Sequence, residues 1–210
     1  MRFWILGAIL LGWASLAHQQ VVDRIVARIE DDIITLSELR ELARFQQLVG
    51  DGASDHEQLL RQAVEQWIVQ AEANLAQYPR PSGDRIEREM ERVRSQFASP
   101  EAYQARLREL GLTEAAVRRL VERQLYLAGY LDYRFRPAAA VEPAAIEAYY
   151  QGELVPQLAA RGQAAPPLEQ VEEQIREVLI QRQISERAAR WLDEVRPRLK
   201  IEVLWRGPGA

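Results

Sequence analysis

The chain has 210 residues, 48% of them hydrophobic and 28% charged, which is the balance of a globular protein and excludes a disordered tail or a fibre. Its formal net charge of −4 repels a phosphate backbone, so nucleic acid is not an expected partner. With no cysteine, disulfides, thiolate metal sites, thiol catalysis and a cysteine-linked lipid anchor are all ruled out.

Met1 and Arg2 give a short positive start, an apolar run extends from Phe3 to Leu16, and Ser15 and Ala17 supply small residues at the −3 and −1 positions of a cleavage site. The run is shorter than the roughly 20 apolar residues a membrane span needs. Residues 1–17 are therefore expected to be a signal peptide cleaved after Ala17, with a retained anchor as the alternative. Residues 18–206 are expected to form one domain, and residues 207–210 a tail.

Val22 to Ile34 reads as a hairpin turning at Asp31-Asp32. Two strands are marginal in water. The alternation of Leu199, Ile201, Val203 and Trp205 with polar neighbours offers a third, at the opposite end of the chain. The expected fold is thus mainly α, with a small sheet formed by the N-terminal hairpin and the C-terminal strand.

Helix starts are marked by Thr35 with Glu38, Ser54 with Glu57 and Asp84 with Glu87, three capping boxes, and by Ser99-Pro100. Gly111 ends one helix and Thr113 caps the next. Apolar stripes follow: Leu60, Val64, Trp67, Ile68, Ala71 and Leu75, then Ile86, Met90, Val93 and Phe97. Tyr103, Leu107 and Leu110 form the next. A helix from about Glu114 to Phe135 is stopped by Pro137, and a short one covers Ala144 to about Leu154. Residues 161–167 are expected to link the body (22–160) to a long helix over Leu168 to Val195, whose apolar positions include Val171, Ile175, Val178, Leu179, Ala188 and Trp191. The closing strand completes a 168–205 segment.

Chemistry-bearing patterns are sparse. His56 sits between Asp55 and Glu57 at a helix start, the setting of a solvated cap cluster, and no serine has a readable histidine partner. Carboxylates fall at caps or beside arginines at helical spacing, as on a solvated face. No enzyme, metal or cofactor is expected. The positive signal is aromatic. Tyr126, Tyr130 and Tyr133 follow spacings of four and three in one helix with Phe135, and tyrosine suits a groove that is apolar yet wet. Together with Phe97, Tyr103, Leu107 and Leu110 they form the candidate surface for a polypeptide client. The alternative is that they pack in the core. Trp67 and Trp191 are expected to anchor the second helix to the last.

The run from Val21 to Leu39, Val-Val-Asp-Arg-Ile-Val-Ala-Arg-Ile-Glu-Asp-Asp-Ile-Ile-Thr-Leu-Ser-Glu-Leu, resembles the opening of SurA-type periplasmic chaperones. The stretch Val141-Glu142-Pro143-Ala144-Ala145-Ile146-Glu147-Ala148-Tyr149-Tyr150 is similar to the helix that precedes a parvulin-type isomerase domain in that family, and Leu168 to Leu204 resembles its C-terminal helix and final strand. The isomerase domain itself, on the order of 100 residues, has no counterpart between Gln151 and Pro166. The resemblance implies the family's N-domain fold, a periplasmic location and ATP-independent binding of unfolded outer-membrane or secreted polypeptides. It does not carry prolyl isomerase activity over. Rival readings are an isomerase-related protein with residual or partner-supplied activity, and an adaptor for one folded partner. No stable membrane insertion is expected after cleavage, and exposed apolar strips leave room for a homodimer.

Overall fold

The computed structural model describes residues 23–50, 52 and 55–205. The signal-peptide segment and the tail lie outside the described residues. The fold is mainly α with one small antiparallel sheet.

Strands β1 (Ile25–Ile29) and β2 (Asp32–Thr35) form the hairpin, and β3 (Ile201–Val203) pairs with the other side of β1, giving the order β2-β1-β3. Ala27 faces Val203 and Ile29 faces Ile201. The two ends of the described chain therefore meet in one sheet, as the terminal alternation predicts. Asp23, just before β1, accepts from the backbone N–H of Ser37 at 3.2 Å and also from its hydroxyl. These bonds hold the Asp23 carboxyl below its ordinary range. They tie the entry of the hairpin to the first turn of the helix that follows it.

Helix α1 (Leu36–Val49) starts at the capping box expected of Thr35 and Glu38: the N–H of Glu38 donates to the Thr35 hydroxyl while the N–H of Thr35 donates to the Glu38 carboxylate at 2.7 Å. Helix α2 (His56–Leu75) is capped by Asp55 with Gln58, one position after the expected pair of Ser54 and Glu57. Helix α3 (Gly83–Arg94) is capped by Ser82, two residues before the expected Asp84, which lies instead in the first turn where its charge favours the dipole. Glu87 is thereby free to pair with Arg94 and Arg118, at 3.0 and 2.6 Å.

Helix α4 (Pro100–Leu110) begins behind Ser99 and ends at Gly111, whose φ of 63° explains the glycine. Helix α5 (Glu114–Phe135) begins behind Thr113. Helix α6 (Pro143–Tyr149) does not stop near Leu154 as the sequence suggests. It continues through one π turn, Tyr150–Leu154, into α7 (Val155–Ala160). Helix α8 (Leu168–Val195) has the expected bounds; its 28 residues make a rod of about 42 Å.

Two apolar clusters fill the body. The first joins the sheet, the first half of α1, α2, the second half of α5 and Trp191; the second joins Phe45 and Leu48 of α1 to α3, α4 and the first half of α5. Helices α1 and α5 thus run through both. In α5, Gly129 gives way to Tyr78: a Cβ there would meet the Tyr78 hydroxyl at 2.8 Å. Two expected core positions lie outside. Leu75 is the last residue of α2 and is 80% exposed, because the chain turns away after it; Val178 is 44% exposed, while Ile175 and Ile184 are the residues α8 buries at this level.

The junction of α5 with α8 is electrostatic as well as apolar. Arg136 pairs with Asp132 and, at 2.6 Å, with Glu177, whose carboxyl is held down to about 2 chiefly by that guanidinium. Asp132 is lowered by the same partner. A carboxylate whose folded value lies below its unfolded one contributes stability that is complete above about 4.5 and is lost as pH falls toward about 2. Arg136→Met is therefore expected to flatten the fall of the urea midpoint across that window. Parallel profiles for the variant and the parent would show that the pair contributes nothing, the usual fate of an exposed ion pair.

Candidate functional site

The structure divides the residues expected to bind a client. Phe97, Tyr103, Leu107 and Leu110 belong to the second cluster, whereas Tyr126, Tyr130 and Phe135 belong to the first. Tyr103, Leu107, Tyr126 and Tyr130 are 2–3% exposed, so they are core and offer no binding surface. Tyr103 and Leu107 are buried by α3 and α5 in the second cluster, while over the α5 tyrosines Tyr78 arrives from beyond α2 and meets Tyr126, Tyr130 and Tyr133 in tilted or edge-on contacts at 5.5–5.8 Å, with Arg80 lying over Tyr126 at 4.1 Å. Only Tyr133 stays open, at 66% exposure. Burial, and then the neighbouring Glu114 carboxylate, pushes the Tyr103 phenol well above its ordinary range.

His56 is not a solvated cap group. Its ring stands edge-on to Trp205 at 4.6 Å, with Nε2 at 3.4 Å from the Trp205 carbonyl oxygen, fastening the start of α2 to the end of the closing strand. Among the described residues, no group of three His, Cys, Asp or Glu side chains is placed to hold a metal ion. No helix among them is long and apolar enough to cross a membrane.

The concave surface lies elsewhere. A groove of about 430 Å³ opens between the outer strand β2, the start of α1 and the exposed face of α2, a volume within the usual range of ligand sites. Ile33 and Ile34 form its strand wall, and Ile33 is 47% exposed. Leu42, Ala63, Trp67 and Ala71 supply the rest of its apolar lining. Trp67 is partly buried and packs against the first apolar cluster, which also holds Trp191 of α8. The Trp67 indole N–H donates to Asp32 at 2.9 Å, which pins the ring beside β2. Trp191 is buried, 8% exposed, and lies 5.9 Å from Phe135 of α5, within the first cluster that α2 also fills.

The polar lining of the groove is half carboxamide and half charged. Gln66, Gln70 and Asn74 stand in a row on α2 at successive four-residue steps. The two acids present are already used: Asp32 accepts from Trp67, and Glu38 closes the α1 capping box. Arg123 of α5 forms the remaining rim and makes no ion pair among the described residues. Sequence reasoning missed this row because amides on a helix face are indistinguishable from ordinary solvated positions until β2 is laid beside them.

A smaller slot, about 250 Å³, lies at the opposite edge of the sheet between β3 and α2, floored by Leu60, Val64, Ile201 and Val203. Helix α2 therefore underlies a recess at each side of the sheet, a mixed one at β2 and a more apolar one at β3. No protein-family model matches the chain, and no curated protein matches it either.

Proposed function

We propose that the protein is an exported, ATP-independent chaperone that holds unfolded outer-membrane or secreted polypeptides. The observation that carries this reading is the groove between β2 and α2, which is open, lined in equal parts by apolar side chains and polar groups, and nearly free of unpaired charge among the described residues. It joins an outer strand to a recess with apolar side-chain walls at Ile33, Leu42 and Trp67, the pairing used where an extended peptide adds to a sheet edge. The ordered resemblance of three separate segments to SurA-type chaperones and the apolar leader at Met1–Ala17 support the same assignment.

The energetics fit reversible holding. Burying three client side chains at about 1.5–3 kcal/mol each yields roughly 5–9 kcal/mol before ordering costs, which caps the affinity near micromolar and keeps release easy. No nucleotide or metal is needed for such a cycle. The chain from Gln19 onward, at micromolar excess, is expected to slow the aggregation of a urea-diluted β-barrel protein without ATP, with light scattering as the readout. Scattering that rises as fast as in buffer would sink the assignment.

A further inference from the structure

We infer that Gln66, Gln70 and Asn74 form a carboxamide ladder that reads the backbone of one extended segment of an unfolded polypeptide, lying in the groove alongside β2. This rests on the chaperone reading and names how its groove recognises a client.

The geometry comes from α2. Residues at i, i+4 and i+8 share one face, and each step rises about 6 Å along the axis. An extended chain repeats every two residues, about 6.6–6.8 Å. Two steps of each differ by under about 2 Å, a mismatch that flexible glutamine side chains absorb. The ladder thus spans roughly 12 Å, the length of about four extended residues.

The chemistry comes from the groups left unused. Gln66 and Gln70 pair with no other described residue, although both are half-buried in the groove wall. The Asn74 oxygen accepts from the Tyr126 hydroxyl at 3.0 Å, which orients its amide N–H groups. A carboxamide carries both donors and an acceptor, so it can match a peptide unit in either direction and beside any side chain. Opposite the ladder, β2 is the outer strand of the sheet, with β1 on one side and, among the described residues, no strand on the other. A client lying between them finds backbone partners on both sides and apolar walls at Ile33, Leu42 and Trp67.

Charge narrows the occupant further. Asp32 and Glu38 are engaged by protein donors, whereas Arg123 is unpaired among the described residues. The favoured segment therefore alternates apolar side chains with small or polar ones and carries a carboxylate that reaches Arg123. Selectivity is first for an extended, unpaired backbone and only second for this side-chain pattern.

The test uses the chain from Gln19 onward and a fluorescein-labelled octapeptide of alternating Phe and Ser ending in Asp. It is compared with the same peptide N-methylated at alternate amides, by fluorescence anisotropy. Methylation is expected to weaken binding roughly tenfold or more, since each backbone bond contributes about 0.5–1.5 kcal/mol. The double variant Gln66→Leu, Gln70→Leu is expected to bind the unmodified peptide about tenfold more weakly and to lose most of its discrimination against the methylated one. Both peptides binding the parent equally would overturn the ladder while leaving the chaperone reading intact, and this comparison needs no mutant to fold. Absence of binding to either peptide would also overturn the ladder; absence of aggregation protection alongside it would bring down the chaperone reading as well.

Discussion

Deletion of the chain from Lys200 onward is expected to lower the urea midpoint by roughly 2 M and to leave the sheet unformed at modest denaturant. The loss has two parts. Backbone bonds disappear, among them those from the Leu204 and Trp205 N–H groups to the Val26 carbonyl at 2.9 and 3.2 Å and from the Glu30 N–H to Lys200 at 3.0 Å, each contributing about 0.5–1.5 kcal/mol. The apolar cover of Ile201 and Trp205 over the first cluster also goes. Val26, Ala27 and Ile29 are fully buried in the intact protein, and removal of their neighbour admits water to the edge of β1. Together these amount to about 5 kcal/mol, a large share of the roughly 5–15 kcal/mol that holds a domain together. A two-stranded hairpin cannot make up the difference. The check is equilibrium urea unfolding followed by circular dichroism, with slopes of about 1–3 kcal/mol per molar converting the midpoint to free energy. An unchanged midpoint would show that the closing strand contributes nothing to the fold.

The second large effect is expected at Phe45. Its side chain is 1% exposed and lies in the second cluster, yet it is borne by the same helix whose Leu39 and Leu42 enter the first. Phe45→Ala removes a ring from a site walled by α3, α4 and α5, where little can collapse inward to fill the space. The expected cost is about 3–5 kcal/mol. For a chain of this size that is a fall in Tm of roughly 10 °C or more. The contrast is Leu75→Ala, at an 80% exposed position, which is expected to change stability by less than about 0.5 kcal/mol. Differential scanning calorimetry on both variants decides the matter. Equal losses at the two positions would mean that burial in the second cluster does not set the energetics of α1.

Much of the fold is readable in the chain because its boundaries use local chemistry. Thr35 with Glu38, Ser99 with Pro100 and the pair Gly111 and Thr113 act within three or four residues, so a linear reading finds them. The closure of β1 on β3 is non-local, and it was legible only because two strands need a third and one other alternating segment exists. The capping pairs at Asp55 and Ser82 were misplaced where several acceptors crowd the same helix start, and local spacing cannot choose among them. The tyrosines illustrate a different limit. Their helical spacing in α5 is correct, but whether that face meets solvent depends on Tyr78, which arrives from the turn after α2. The groove itself was hidden for the converse reason: its walls come from β2, α1, α2 and α5, and none of them is unusual alone.

The meeting of β1 with β3 also governs when the molecule can finish folding. The Arg28 guanidinium and the Glu202 carboxylate lie 174 positions apart, and they pair at 3.2 Å. Bringing together ends separated by so much flexible chain costs about 4.5 kcal/mol of closure entropy, less once the intervening helices have shortened the path. A ribosome releases Ile201 and Val203 long after the hairpin, so β1 waits uncovered while the intervening helices are made, and the latch is thrown only once β3 has emerged.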